Sequence, residues 1–171
     1  MKKALVLVAI VMILIVSHKE ESIIIPESSI RFRVIANSNT LEDQTNKNKV
    51  SKNLGTYVTN LVKNAKTKEE ATKLLNENYE NIDKYIEGLL AENNINITYD
   101  LNIGKNYFGK KNYKGINYDA GYYDSLVLSL GKKQGTNWWC IMYPPLCLID
   151  EETEKVEYTT LVKDMLDKYK F

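Results

Sequence analysis

The sequence predicts an α+β domain, in which a mainly antiparallel sheet carries a helical hairpin on one face, preceded by an N-terminal apolar export segment. Residues 95–103 alternate strictly between apolar and polar side chains, as a strand with one buried face does. Two stretches between residues 50 and 90 instead repeat apolar side chains every three or four positions, which indicates amphipathic helices. The resulting order is one strand, two helices, three or four strands and a final helix.

The chain begins with a basic and then apolar segment that is typical of export signals. Lys2 and Lys3 precede an unbroken apolar run over residues 4–16, which suits the core of a signal peptide and is short for a spanning helix. Because no clear small-residue cleavage motif follows, residues 1–18 are either a signal peptide or a signal anchor that contacts the membrane through residues 4–16. Residues 19–29 are predicted to be a linker to a single domain over residues 30–171.

The first predicted strand, residues 30–36, alternates apolar and polar side chains. Its apolar face holds Ile30, Phe32, Val34 and Ala36, and its other face holds Arg31 and Arg33. Thr40 and Asp43 stand at the spacing of a capping box, so the first helix is expected to begin there. Thr67 and Glu70 form a second capping box and predict the start of the second helix.

The second half of the domain is predicted to be mostly strand. Residues 122–130 place Leu126, Leu128 and Leu130 on one face. Residues 137–143 form the last strand, because Pro144 and Pro145 cannot donate to a sheet ladder and must turn the chain. The remaining predictions are hairpin pieces within residues 104–121, a short extended piece over residues 146–149 and a weak helix over residues 159–171.

The composition argues against several classes of function. A net charge of +1, from 23 basic and 22 acidic residues, gives no electrostatic footprint for nucleic acid. The single histidine, His18, lies beside the apolar segment, so the domain cannot assemble a Ser–His–Asp or Cys–His nucleophile. Two cysteines with scattered carboxylates are a poor ligand set for zinc, and the glycines lack phosphate-loop spacing. We therefore expect no catalytic residues, metal or cofactor.

The stretch GTNWWCIMYPPLCLID, residues 135–150, holds both tryptophans, both cysteines and two of the three prolines. Within it, NWWC at residues 137–140 and PPLC at residues 144–147, followed by Asp150, resemble the C-terminal signature of the stage II sporulation protein R family. IRFRVIANS at residues 30–38, with Asp43 and Gln44, is similar to the N-terminal signature of that family. The resemblance covers about residues 30–150.

This resemblance implies a secreted signalling protein of spore-forming bacteria. Members of the family are made in the forespore and act in the space between the forespore and mother-cell membranes. There they trigger a membrane-embedded aspartic protease, which then matures a pro-sigma factor of the sigma-E type. The expected partner is thus the extracytoplasmic part of that protease. The residues alone leave open a cell-envelope hydrolase with paired carboxylates and a passive wall- or membrane-binding module.

The two signatures supply the candidate partner-binding residues, which are Asn37, Ser38, Asp43, Gln44, Asn137, Trp138, Trp139, Pro144 and Pro145. A strand end, a helix cap and a first-turn acid explain the first four of them more simply than partner binding does. Trp138 and Trp139 point to opposite faces of a strand, so with helices on one face we expect one in the core and the other exposed as an anchor. Cys140 and Cys147 flank the proline turn and either form a disulfide or remain two buried thiols.

Overall fold

The computed structural model describes residues 23–150 and 152–169, so the predicted export segment of residues 1–18 lies outside the described residues. Within them the α+β class is confirmed, with a four-stranded sheet that is mainly antiparallel, a two-stranded ribbon and four α-helices. The strands are β1 (Ile30–Ile35), β2 (Tyr99–Phe108), β3 (Lys111–Tyr113), β4 (Ile116–Tyr118), β5 (Gly121–Leu130) and β6 (Asn137–Tyr143). The helices are α1 (Leu41–Val62), α2 (Lys68–Glu77), α3 (Tyr79–Glu92) and α4 (Lys155–Lys168). None of the helices in this part of the chain is long and apolar enough to cross a bilayer.

The main sheet has the order β2-β5-β1-β6, which leaves β6 on an edge. β1 runs parallel to β5 and antiparallel to β6, so that Phe32 lies between Leu126 and Cys140. β2 and β5 pair antiparallel along their whole length, while β3 and β4 form the separate ribbon. β1, the first element of the fold, is therefore buried within the sheet between strands that follow it in sequence.

One face of the sheet is covered by α1, α2 and α3. The Thr40 hydroxyl accepts a hydrogen bond from the Asp43 backbone N–H at 3.2 Å, as the capping-box spacing predicts. The second predicted helix is two helices, because Asn78 leaves helical geometry at φ −104° and ψ 14°. The Asn78 side chain donates to the Leu74 carbonyl at 2.9 Å, a local bond by which asparagine competes with the helix.

One predicted strand start and one predicted extended segment are wrong, each for a local reason. β2 begins at Tyr99, because the preceding residues close the end of α3, with the Ile95 N–H bonded to the Leu90 carbonyl at 2.9 Å. Ile95 and Ile97 nevertheless pack against the core. This packing explains why the alternation of apolar and polar side chains extends to residues before the strand. The predicted extended piece after the prolines is a 3₁₀ turn, Leu146–Leu148.

The other face of the sheet is covered as well, by the β3–β4 ribbon, α4 and residues 23–25. Ile141 of β6 packs there in a second core cluster with Ile116 and Val162. Residues 23–25, placed in the predicted linker, belong to the domain. The Ile25 N–H bonds to the Asn117 carbonyl at 3.2 Å, and the Ile25 side chain is buried.

Arg31 is fully buried beneath this second layer, although the sequence pattern places it on the face away from the helices. Its guanidinium carbon lies 3.4 Å from the centre of the Tyr123 ring, 5.2 Å from Phe108 and 5.4 Å from Trp139. Nη2 donates to the Asp119 carbonyl at 3.3 Å, while Nε and Nη1 have no hydrogen-bond partner in the described part of the chain. Burial lowers the pKa of Arg31, and the surrounding aromatic faces offset part of the cost of burying its charge.

Substitutions of Arg31 test how much its charge contributes to stability. The cation–π attraction is worth about 2 kcal/mol when desolvated, and unpaired buried donors cost about 1–3 kcal/mol, so the two effects oppose each other. We expect Arg31→Met, which keeps the aliphatic stem, to change the free energy of unfolding by less than about 1.5 kcal/mol. Arg31→Ala empties the volume beneath Tyr123 and is expected to cost about 3 kcal/mol. Urea unfolding measures the free energy of unfolding of both variants. An equal loss of stability in Arg31→Met and Arg31→Ala would show that the charge itself is stabilising.

Candidate functional site

A groove of about 630 Å³ runs along the open edge of β6. Residues 137–141 line its base, since β6 has a strand partner on one side only. α1 contributes Ser51, Lys52 and Gly55 from the helical layer, and the ribbon contributes Lys111 and Tyr113 from the other layer. The 3₁₀ turn and the residues after it, 146–150, add to the lining, together with Glu152 and with Tyr158 of α4. We call this surface the β6 groove.

The two tryptophans of the NWWC string are packed on opposite sides of the β6 groove. The Trp138 ring meets Phe32 edge to face at 5.8 Å, in the helical layer. Trp139 lies edge to face with Tyr118 at 4.9 Å in the second layer, and the Lys111 Nζ lies 5.0 Å from its ring centre. Both side chains are half-buried. The expectation of one core and one exposed tryptophan is wrong, because both faces of the sheet are covered.

A glycine in the middle of α1 allows this packing. A Cβ on Gly55 would lie 3.2 Å from the Phe32 ring and 3.8 Å from the Trp138 ring. A larger side chain would therefore push the helix away from β6. Glycine inside an amphipathic helix pattern is the sequence signal for this close contact, and its role here was not predicted.

The PPLC string closes one end of the β6 groove. Cys140 and Cys147 form a disulfide, with their Cα atoms 5.4 Å apart, and no free cysteine is found among the described residues. Pro144 and Pro145 are buried within the turn, so their side chains shape the turn and are not offered at the surface. Leu148, which follows the bridge, is 42% exposed and lines the groove.

The polar residues of the first signature form an internal hydrogen-bond network. The Asp43 carboxylate accepts from the Asn37 amide at 2.9 Å and from the Ser38 hydroxyl. The Gln44 amide donates to the Ser38 carbonyl at 2.9 Å, and its oxygen accepts from the Thr136 hydroxyl at 2.8 Å. These bonds tie the start of α1 to the loop before β6. These internal hydrogen bonds give a structural role to all four residues. Of the polar residues predicted to bind a partner, only Asn137 lines the groove.

The loop before β6 approaches this network closely. The Gly135 N–H bonds to the Ala36 carbonyl at 3.0 Å. A Cβ on Gly135 would lie 2.2 Å from the Ser38 carbonyl oxygen, a distance that no side chain can adopt. The two signatures therefore meet in space, the first bracing the start of β6 and the second lining its open edge.

The lining of the β6 groove resembles the composition of protein-binding surfaces. Aromatic and aliphatic side chains line it together with charged groups of both signs, Lys52, Lys111, Asp150 and Glu152. Asp150 accepts a hydrogen bond from the Glu152 N–H at 3.0 Å, as a turn-capping residue does. Within residues 23–150 and 152–169, no three potential metal ligands cluster together.

Fold and groove together define an α+β domain with an aromatic, disulfide-closed groove on one sheet edge. The family model for stage II sporulation protein R matches residues 26–153. The chain belongs to the stage II sporulation protein R family, which confirms the resemblance seen in the two signatures and supports a role in sporulation.

A relative from this family shows the extent of the match. The chain is 30% identical over 132 residues to the stage II sporulation protein R of Bacillus subtilis (strain 168). The aligned part is 77% of this chain, and it spans 59% of the length of that relative. No solved structure matches the chain.

Both tryptophans are expected to be needed for stability. Each ring packs against a different core cluster, so Trp138→Ala and Trp139→Ala should each lower the free energy of unfolding by about 2–4 kcal/mol. Urea midpoints of the two variants measure this. A variant with wild-type stability would mean that its ring is not packed as the structure shows.

The acid dependence of stability tests the first-signature network. Hydrogen bonds from Ser38 and then Asn37 lower the pKa of Asp43 below its ordinary value of 3.8. Folding thus favours the ionised form of Asp43. The ionised carboxylate stabilises the folded protein fully above pH values near its ordinary pKa, and this stabilisation is lost as the pH falls through the lowered pKa of the folded state. Asp43→Asn should flatten the acid side of the stability profile between about pH 5 and pH 2. Parallel profiles for the wild-type and variant proteins would contradict the network.

Proposed function

We propose that this protein is an exported, non-enzymatic signalling protein that activates a membrane-embedded aspartic protease. It would leave the forespore, bind the extracytoplasmic part of the protease in the space between the two membranes, and so cause processing of a pro-sigma factor of the sigma-E type. The observation that carries this proposal is that the NWWC string and the last two residues of the PPLC string, Leu146 and Cys147, line one accessible, aromatic groove. The role in sporulation that family membership supports is consistent with an activator of this kind.

Activation by binding requires a preference for one form of the protease. The β6 groove must bind the active form more tightly than the inactive form, and each tenfold preference corresponds to about 1.4 kcal/mol. The exposed part of Leu148 and the groove-facing parts of the tryptophan rings offer apolar area that a partner would bury. Lys52 and Glu152, which also line the groove, supply charges that orient the partner.

The two alternatives can be separated from this proposal by simple assays. A cell-envelope hydrolase would release soluble fragments from purified wall, whereas an activator would not. A passive binding module would sediment with wall or membranes whether or not the protease is present. The proposed activator should sediment with membranes only when they contain the protease.

Co-expression in a non-sporulating host provides the functional test. We expect the pro-sigma factor to be processed only when this protein, the protease and the precursor are all present. Leu148→Glu places a charge in the β6 groove and should reduce processing at least tenfold, while stability changes by less than about 0.5 kcal/mol because the position is exposed.

Leu161→Glu is the matched control for this variant. Leu161 is 38% exposed, close to the 42% of Leu148, and it lies on α4 outside the groove lining. The control should process the precursor as the wild-type protein does. Normal processing by the Leu148→Glu protein would exclude the β6 groove as the contact surface.

A further inference from the structure

The 3₁₀ turn that closes the β6 groove is held mainly by the disulfide and by side-chain packing. Its backbone bonds are local: Leu146 N–H to the Pro144 carbonyl at 2.7 Å, Leu148 to Pro145 at 3.3 Å, and Ile149 to Leu146 at 3.1 Å. In the described part of the chain, no backbone hydrogen bond of this turn reaches β6 or α1. The Cys140–Cys147 bond is therefore the covalent link that sets where the turn lies against the strand.

The disulfide also lies in the wall of the groove. Cys140 and Cys147 are half-buried, and both line the β6 groove. The chain contains only these two cysteines, so intramolecular oxidation has a single product. The turn that the bridge holds carries Leu148, the most exposed apolar side chain of the lining.

We propose that the Cys140–Cys147 disulfide is a redox switch on the β6 groove, and that only the bridged protein docks on its partner. This inference rests on the proposed function. In the dithiol form only side-chain packing, chiefly that of the buried Leu146, holds the turn against β6. The turn then opens more often, and in the open state the groove loses the wall that carries Leu148. Since thiols stay reduced in the cytoplasm and are oxidised outside it, the docking surface is completed after export. The protein is thereby inactive in the compartment where it is made.

The switching reaction is an ordinary thiol–disulfide exchange. Closing the bridge forms one S–S bond and removes two protons and two electrons from the two thiols. The acceptor is the disulfide of an extracytoplasmic thiol oxidoreductase. One cysteine thiolate attacks that disulfide to give a mixed disulfide, the other displaces the carrier, and the carrier leaves as a dithiol.

The first test follows the turn itself and needs no partner. Hydrogen exchange of the backbone amides of residues 146–149 is compared in the bridged protein, in the protein reduced with dithiothreitol, and in the double variant Cys140→Ser with Cys147→Ser. We expect exchange at least tenfold faster in the last two, while the amides of β5 remain protected. Equal exchange in all three forms overturns the switch, whatever the partner is.

The second test follows docking on membranes that contain the protease. The bridged protein should bind at least tenfold more tightly than the reduced protein and the double serine variant, and reoxidation of the reduced wild-type protein should restore binding. Leu75→Ala is the control for lost stability, because Leu75 is buried in the helical layer away from the groove and the bridge stays intact. Leu75→Ala should bind as the wild-type protein does.

The outcomes separate the inference from the proposed function. Tight binding by the double serine variant, at equal amounts of folded protein, overturns the switch and leaves the proposed function standing. Failure of the bridged wild-type protein to bind these membranes overturns the proposed function, and with it the docking role of the switch.

Discussion

The structure depends on a central strand, β1, that is buried on both faces. Phe32 lies in the helical core, while Arg31, which faces the other way, is enclosed by aromatic rings with its guanidinium 3.4 Å from the Tyr123 ring centre. β6 pairs with β1 and is therefore flanked by the same two layers, so Trp138 and Trp139 are each packed against one of them. The layers leave the outer edge of β6 open. The β6 groove is thus a direct consequence of covering the sheet on both faces.

The two ends of β6 are held by different means. At its start, the network around Asp43 and the close approach of Gly135 to Ser38 fix the loop that leads into the strand. At its end, the proline turn reverses the chain and the disulfide holds it beside Cys140. An open edge strand is a hazard because it offers unpaired backbone groups to any other strand. Here the turn shields part of that edge, and the remaining opening is lined by large side chains that can select a partner.

The sequence predicted the elements of this fold well, but not the layer that covers the second face. β1 and β6 were predicted correctly because alternating side chains and a proline stop are local signals. The start of α1 at Thr40 was predicted from another local signal, the spacing of a capping box. The burial of Arg31 could not be predicted, because it results from long-range packing of the ribbon, which sequence periodicity does not report. The same layer explains the wrong expectation for the tryptophans. The groove contributions of Lys52 and Lys111 were missed for a related reason, since residues far apart in sequence meet only in the folded chain.

We propose the β6 groove as the surface that meets the protease, and site-specific photo-crosslinking measures this contact. A photoreactive amino acid is placed at Leu148 or Lys52, both in the groove lining, and at Leu161 or Leu41 outside it. Each protein is exported from cells that contain the protease, and crosslinked products are identified by mass. We expect crosslinks to the protease from Leu148 and Lys52 and none from Leu161 or Leu41. Crosslinks from Leu41, beside the first signature, with none from the groove would contradict it.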